Sequence, residues 1–141
     1  MKIIVLAGGL STERDVSLSS AAGICRTLLE KGHDAFLLDV FMGLEHAPEN
    51  LEDVFTLPDH GLDIVKNIST EEPDLAAVKA SRPDQSDCFF GPNVIELCRL
   101  ADITFLGLHG GEGENGKLQA AFDLLGIKYT GPDSLGCAVA M

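Results

Sequence analysis

Two glycine-rich stretches hold the residue types that could do chemistry. His109 to Gly116 reads H-G-G-E-G-E-N-G and comes after the apolar run Ile103 to Leu108, while Gly8 to Asp15 reads G-G-L-S-T-E-R-D and comes after a first apolar run, Ile3 to Ala7. Neither has an apolar face to bury, and glycine lets backbone approach a small ligand closely, so both read as site loops. A carboxylate held ionised near helix N–H groups presents fixed negative charge, which would anchor a ligand ammonium at Glu13 or Asp15. The plainer roles are also open. Glu13 and Asp15 suit the positive end of a helix dipole, His109 suits a histidine that closes its own strand, and Glu112 and Glu114 suit solvent.

Other chemistries lack their signatures. His109 and Glu112 give only H-x-x-E with no second histidine nearby, so no metal ligand set is expected. G-G-L-S-T-E after the first run lacks the G-x-G-x-x-G spacing of a dinucleotide site, and no P-loop G-K-[ST] occurs. The four cysteines, Cys25, Cys88, Cys98 and Cys137, form no C-x-x-C pair and read as buried, reduced thiols.

The elements that must carry the loops are readable from periodicity. Lys2 to Leu6 reads as a strand buried on both faces and Ala35 to Val40 as a second. Between them Ala21, Ile24, Cys25, Leu28 and Leu29 form a helical stripe that Gly32 caps. Thr12 and Asp15 stand in capping-box spacing, which puts the helix start between Thr12 and Ser17. Residues 41 to 90 hold four of the six prolines and no sustained period, so they read as an irregular insertion, with a short helix at Leu75 to Ala80 and a hairpin or turn at Asn67 to Thr70. Pro92 at a first helical position opens a helix with Val94, Ile95 and Cys98 on one face, and the strand Ile103 to Leu108 comes next. Leu118, Ala121, Phe122 and Leu125 mark a further helix capped by Gly126, and Ile127 to Thr130 a fourth strand. Gly131-Pro132 opens a last helix with Leu135, Ala138 and Val139 on its stripe.

This alternation predicts an α/β, three-layer, Rossmann-like domain on a four-stranded parallel sheet, with residues 1–141 as one domain. In strand order 2-1-3-4 the first and third strands are neighbours at the winding reversal, so the Gly8 loop would face the His109 loop across one crevice. The last helix is still apolar at Met141, which reads as the front portion of a longer polypeptide or an excised domain.

Composition narrows the partners. The chain has 141 residues, 45% of them apolar, and a formal charge of -12, which disfavours nucleic acid and anionic membranes. No run approaches a membrane span or a signal-peptide core, so a cytoplasmic location is expected.

Three stretches then carry a resemblance. V-L-A-G-G-L-S-T-E-R-D-V-S-L-S-S (Val5 to Ser20) resembles the opening signature of D-Ala-D-Ala ligases, F-L-G-L-H-G-G-E-G-E-N-G-K-L-Q (Phe105 to Gln119) their second, and G-I-K-Y-T-G-P-D-S-L-G-C-A-V-A-M (Gly126 to Met141) a third that runs on into the nucleotide-binding domains. The resemblance implies the N-terminal, pre-ATP-grasp domain of an ATP-grasp ligase of peptidoglycan (cell wall) synthesis. ATP and magnesium would be bound by domains absent here, none by this chain, and the intact enzyme would be a homodimer. It places Glu13 on the ammonium of a first D-alanine, Val16 near its methyl group and His109 beside its carboxylate, with Ser17 and Gly110 completing the substrate contacts; Glu13 and His109 are the implied catalytic pair. One departure is visible: where the family often has G-E-D-G, this chain has Gly113-Glu114-Asn115-Gly116. The chain alone is expected to be inactive. Alternatives are a ligase making D-Ala-D-Lac or D-Ala-D-Ser, another ATP-grasp enzyme with a similar front domain, and a non-enzymatic amino-acid-binding module.

Overall fold

The computed structural model describes residues 2–9, 14–44, 48–56, 60–62, 76–77, 80, 90–107 and 117–129. Strand β1 (Lys2–Ala7) leads through helix α1 (Arg14–Glu30) to β2 (Asp34–Asp39), and after the insertion come α2 (Val94–Leu100), β3 (Ile103–Leu106) and α3 (Lys117–Leu125). The sheet is parallel, in order β2-β1-β3. Strand β1 is therefore central, with Leu6 facing Leu38 on one side and Leu106 on the other.

A continuously apolar strand must bury both faces, and β1 does so residue by residue. Ile3, Val5 and Ala7, with Ala35 and Leu37 of β2, pack under Leu18, Ala21, Ala22 and Cys25 of α1. Ile4 and Leu6, with Phe36 and Leu38, pack against Val94, Leu97 and Cys98 of α2 and Leu118 and Phe122 of α3. These are the three layers. The deepest side of α1 is made of small residues, Ala21 and Ala22, which brings the helix close to the sheet; Ile24, Leu28 and Leu29 are only partly buried.

Both helix ends expected from glycine are present in the left-handed region, Gly32 at φ 89° and Gly126 at φ 71°. In each case the residue after the glycine donates five positions back (His33 to Leu28, Ile127 to Phe122), while the glycine donates three back, closing the orphan carbonyls.

Three expectations need correction or filling. The sheet has three strands among the described residues, not four: the segment after Gly126 makes a single parallel bridge, Thr104 to Tyr129, supported by the Thr104 N–H donating to the Lys128 carbonyl at 2.9 Å. One rung beside a four-residue strand is too little for a ladder. Helix α2 starts at Val94, not Pro92, because Asn93 takes φ 66° as its N-terminal flank and Pro92 instead spends its carbonyl on the N–H of Leu44. The insertion is also less irregular than its composition suggests. Leu51–Thr56 is a 3-10 helix that sends Val54 and Phe55 into the core, and the backbone is helical at Ala76, Ala77 and Ala80. The turn expected at Asn67 to Thr70 and the helix after Gly131 lie outside the described residues.

Cys25 and Cys98 sit in opposite cores, both free and buried; Cys88 and Cys137 lie outside the described residues. Burial pushes each thiol up, from 9.0 to about 11. The folded state then holds protons that the unfolded chain releases, so stability falls as pH rises from about 9 towards 11. Melting temperatures across that range are expected to decline less when Cys25 and Cys98 are both replaced by Ala. Both thiols should also resist an aromatic disulfide reagent at pH 8 until the fold is opened with denaturant.

Candidate functional site

In a parallel sheet the loops that leave the carboxyl ends of adjacent strands emerge side by side. The central strand β1 exits into Gly8 and Gly9, and its neighbour β3 exits into Gly107. The last ladder bond between them runs from the Gly107 N–H to the Leu6 carbonyl at 2.8 Å. Beyond that rung a side chain takes over: Ser17 Oγ accepts from the Gly8 N–H at 3.0 Å and donates to the Gly107 carbonyl at 2.7 Å. Ser17 lies in the first turns of α1 and is fully buried.

The other flank of the first loop is held by Asp39, the last residue of β2. Its Oδ1 accepts from the Phe41 N–H at 3.0 Å, the Met42 N–H at 3.2 Å and, more weakly, the Gly9 N–H at 3.4 Å. A carboxylate at 4% exposure is costly to bury unless it collects such donors. Gly8 and Gly9 take φ 78° and 86°, a region that side chains rarely enter. At Gly8 a Cβ would also come within 2.6 Å of the Asp39 carboxylate. The chain must leave β1 sharply here.

One consequence bears on chemistry. The Gly8 and Gly9 N–H groups are both engaged, with Ser17 and Asp39, so they are not spare donors for a ligand anion.

Of the predicted site residues, Val16 and Ser17 are described. Val16 lies near the start of α1 with 59% of its surface exposed. Ser17, expected as a substrate contact, has its hydroxyl bonded to two backbone groups of the protein. Glu13, His109 and Gly110 lie outside the described residues. Asp39 was missed, although a carboxylate closing the apolar run A-F-L-L beside a Gly-Gly turn is a readable signal.

Two depressions of the described surface lie elsewhere. One of about 270 Å³, lined by Cys98, Arg99, Asp102 and Lys128 among others, sits at the start of β3, opposite the loop exits. The other, about 490 Å³, runs along α1 between Ile24, Leu28 and Phe105. Among the described residues no group of three or more His, Cys, Asp or Glu could hold a metal ion, and no helix is long and apolar enough to cross a membrane.

Comparison with known proteins places these features in company. Residues 2–132 match the family model described as D-ala D-ala ligase N-terminus. The chain is 47% identical over 143 residues to a D-alanine-D-alanine ligase of Lacticaseibacillus casei, an alignment that covers 100% of this chain and 39% of that protein. Among solved structures it resembles the VanG D-Ala:D-Ser ligase of Enterococcus faecalis, with TM-score 0.55, 28% identity and coverage of 99% and 38% of the two chains. A Bacillus anthracis D-alanine-D-alanine ligase complexed with ATP shares the fold at TM-score 0.55 and 20% identity, covering 99% of this chain and 32% of that one. The chain thus spans well under half the length of these relatives.

The tightness of the β1 exit sets a test. Gly8→Ala is expected to cost about 1–3 kcal/mol from backbone conformation alone, and more from the contact with Asp39. Asp39→Ala should cost about 1–3 kcal/mol by leaving backbone N–H groups without their acceptor. Denaturant unfolding of each variant measures both; an unchanged midpoint for either would show that the loop exit is not held as described.

Proposed function

Because the chain belongs to the family of D-ala D-ala ligase N-termini, we propose that it forms one wall of the D-alanine site of an ATP-dependent D-alanine-D-alanine ligase of cell wall synthesis. The observation that carries this reading is the hydroxyl bridge of Ser17 between Gly8 and Gly107. It joins the stems of the two loops in which Glu13 and His109 occur, five residues after Gly8 and two after Gly107.

In the proposed reaction the carboxylate of one D-alanine takes the terminal phosphoryl group of ATP. The amino group of a second D-alanine attacks the acyl phosphate, and phosphate leaves from the tetrahedral intermediate. Glu13 would receive the ammonium of the first D-alanine as a charge-assisted partner, Val16 would pack near its methyl group, and His109 with Gly110 would stand beside its carboxylate. Since the Gly8 and Gly9 N–H groups are engaged, donors to the developing acyl phosphate come from the His109 loop and the remainder of the enzyme. ATP and magnesium would be held by that remainder, as the family likeness implies; a structure similar to this chain is a ligase complexed with ATP.

The 47% identity to the D-alanine-D-alanine ligases of Lacticaseibacillus casei and Pediococcus pentosaceus supports D-alanine as the second substrate, and the D-Ala-D-Lac alternative is not favoured. We read residues 1–141 as one N-terminal domain of a cytoplasmic, homodimeric enzyme, and expect the chain by itself to release no ADP when given ATP and D-alanine in a coupled assay.

The role of Glu13 is tested in the full-length ligase. Glu13→Gln removes the charge and keeps the shape, so KM for D-alanine at the first subsite is expected to rise about 10- to 100-fold, the worth of a hydrogen bond to a charged group. KM for ATP should move by less than about 2-fold. Equal changes in both would defeat the assignment.

A further inference from the structure

Ser17 is an unusual choice for its place. A serine inside a helix competes with the helix for its own backbone and offers little to a core, so a fully buried one needs a reason. An alanine would satisfy packing against the sheet, as Ala21 and Ala22 do one turn further on. The hydroxyl is there for its two bonds, and both of its partners are backbone groups just past the end of a strand, Gly8 after β1 and Gly107 after β3.

The surroundings are shaped to permit those bonds. A Cβ at Gly107 would stand 3.2 Å from the Cβ of Ala21, so glycine at 107 and alanine at 21 let α1 come down onto the exit of β3. The exit of β1 is tied in the opposite direction by Asp39 through the Gly9 N–H. Gly8 and Gly9 thus pass between two side-chain acceptors, one fixed on α1 and one on β2. Ser17 alone of the two also reaches the β3 side, past the last rung of the ladder.

We propose that Ser17 is a positioning residue: its hydroxyl sets the separation of the two glycine loops, and thereby the fit of D-alanine between them, without touching the ligand. The inference rests on the reading of these loops as the D-alanine site. Loss of the hydroxyl leaves the Gly8 N–H and the Gly107 carbonyl without their shared partner, and the two exits can part. The penalty falls on the ligand that needs both loops together, D-alanine, and not on ATP.

The experiment uses the full-length ligase with Ser17→Ala, Ser17→Thr, Glu13→Gln and the Ser17→Ala/Glu13→Gln double variant. Val94→Ala, in the core on the other face of the sheet, serves as a stability control. Ser17→Ala is expected to raise KM for first-subsite D-alanine about 10-fold or more, with KM for ATP within about 2-fold. Val94→Ala, compared at the same distance below its melting temperature, should leave both KM values within about 2-fold. Ser17→Thr keeps the hydroxyl and should recover most of the loss; if Ser17→Ala does not fold, Ser17→Cys, which keeps the volume but bonds weakly, takes its place. A residue that acts by holding the Glu13 loop adds little once Glu13 is gone, so Ser17→Ala in the Glu13→Gln background should cost less than about 3-fold further.

An unchanged D-alanine KM in Ser17→Ala, a parallel rise for ATP, or the same rise in Val94→Ala would overturn the proposal. So would full additivity with Glu13→Gln, which marks an independent contact with the ligand. If Glu13→Gln shows its split while Ser17→Ala does not, the positioning role fails and the D-alanine site stands. A parent enzyme that forms no dipeptide removes both.

Discussion

Parallel strands stop helping one another at their last rung, and past it two chain ends head into solvent with nothing in the ladder to keep them together. In this domain that gap is crossed by a single oxygen atom. Ser17 takes the N–H of Gly8 and gives its proton to the carbonyl of Gly107, so an α-helix sutures two strand exits that lie about a hundred residues apart in the chain. The bond is possible only because α1 rests close to the sheet, which in turn requires small residues at the contact: Ala21, Ala22 and Gly107. Packing, backbone conformation and polar satisfaction at this edge are one problem with one solution.

That solution is asymmetric. The β1 exit is pinned from two sides, by Ser17 and by Asp39, and its two glycines occupy conformations that a side chain would resist. Rigidity at the stem is what a binding loop needs if its tip is to present a charged group at a fixed place, because every degree of freedom left in the stem must be frozen when the ligand arrives. The buried carboxylate of Asp39 is tolerable for the same reason that it is useful: three backbone donors converge on one of its oxygens.

Much of this was legible in the residues. Continuous apolar runs gave away β1 and β2 because a strand covered on both faces has no polar side to alternate with, and the spacing of Leu118 and Phe122 revealed α3 because a helix shows its core at that interval. Gly32 and Gly126 marked helix ends because few other residues accept their dihedral angles. What the residues hid were the places where tertiary contacts decide. Pro92 suits a helix start, but its carbonyl is claimed by Leu44 and the helix waits for Val94. Val54 and Phe55 sit in a stretch too polar and too short in period to advertise a 3-10 helix, yet they complete the core from outside. Ile127 to Tyr129 has the composition of a strand and makes one bridge, since composition cannot count rungs. At the candidate site the exits of β1 and β3 were legible as apolar runs that end at glycines; the bridge between them was not, because the resemblance gave Ser17 a substrate contact and nothing in its spacing points to the Gly8 N–H and the Gly107 carbonyl.

The insertion also leaves its mark on the outer flank of the sheet. His60 accepts the N–H of Leu37 through its carbonyl at 2.9 Å, and Gly61 passes so near that a Cβ there would collide with the Leu37 carbonyl. Backbone that would otherwise be offered to a passing strand is occupied at mid-length, which is how proteins discourage unwanted edge-to-edge growth. The opposite flank, along β3, is where Tyr129 already bridges. Among the described residues each border of the sheet is thus met at one point, the β2 side at Leu37 by His60 and the β3 side at Thr104 by Tyr129.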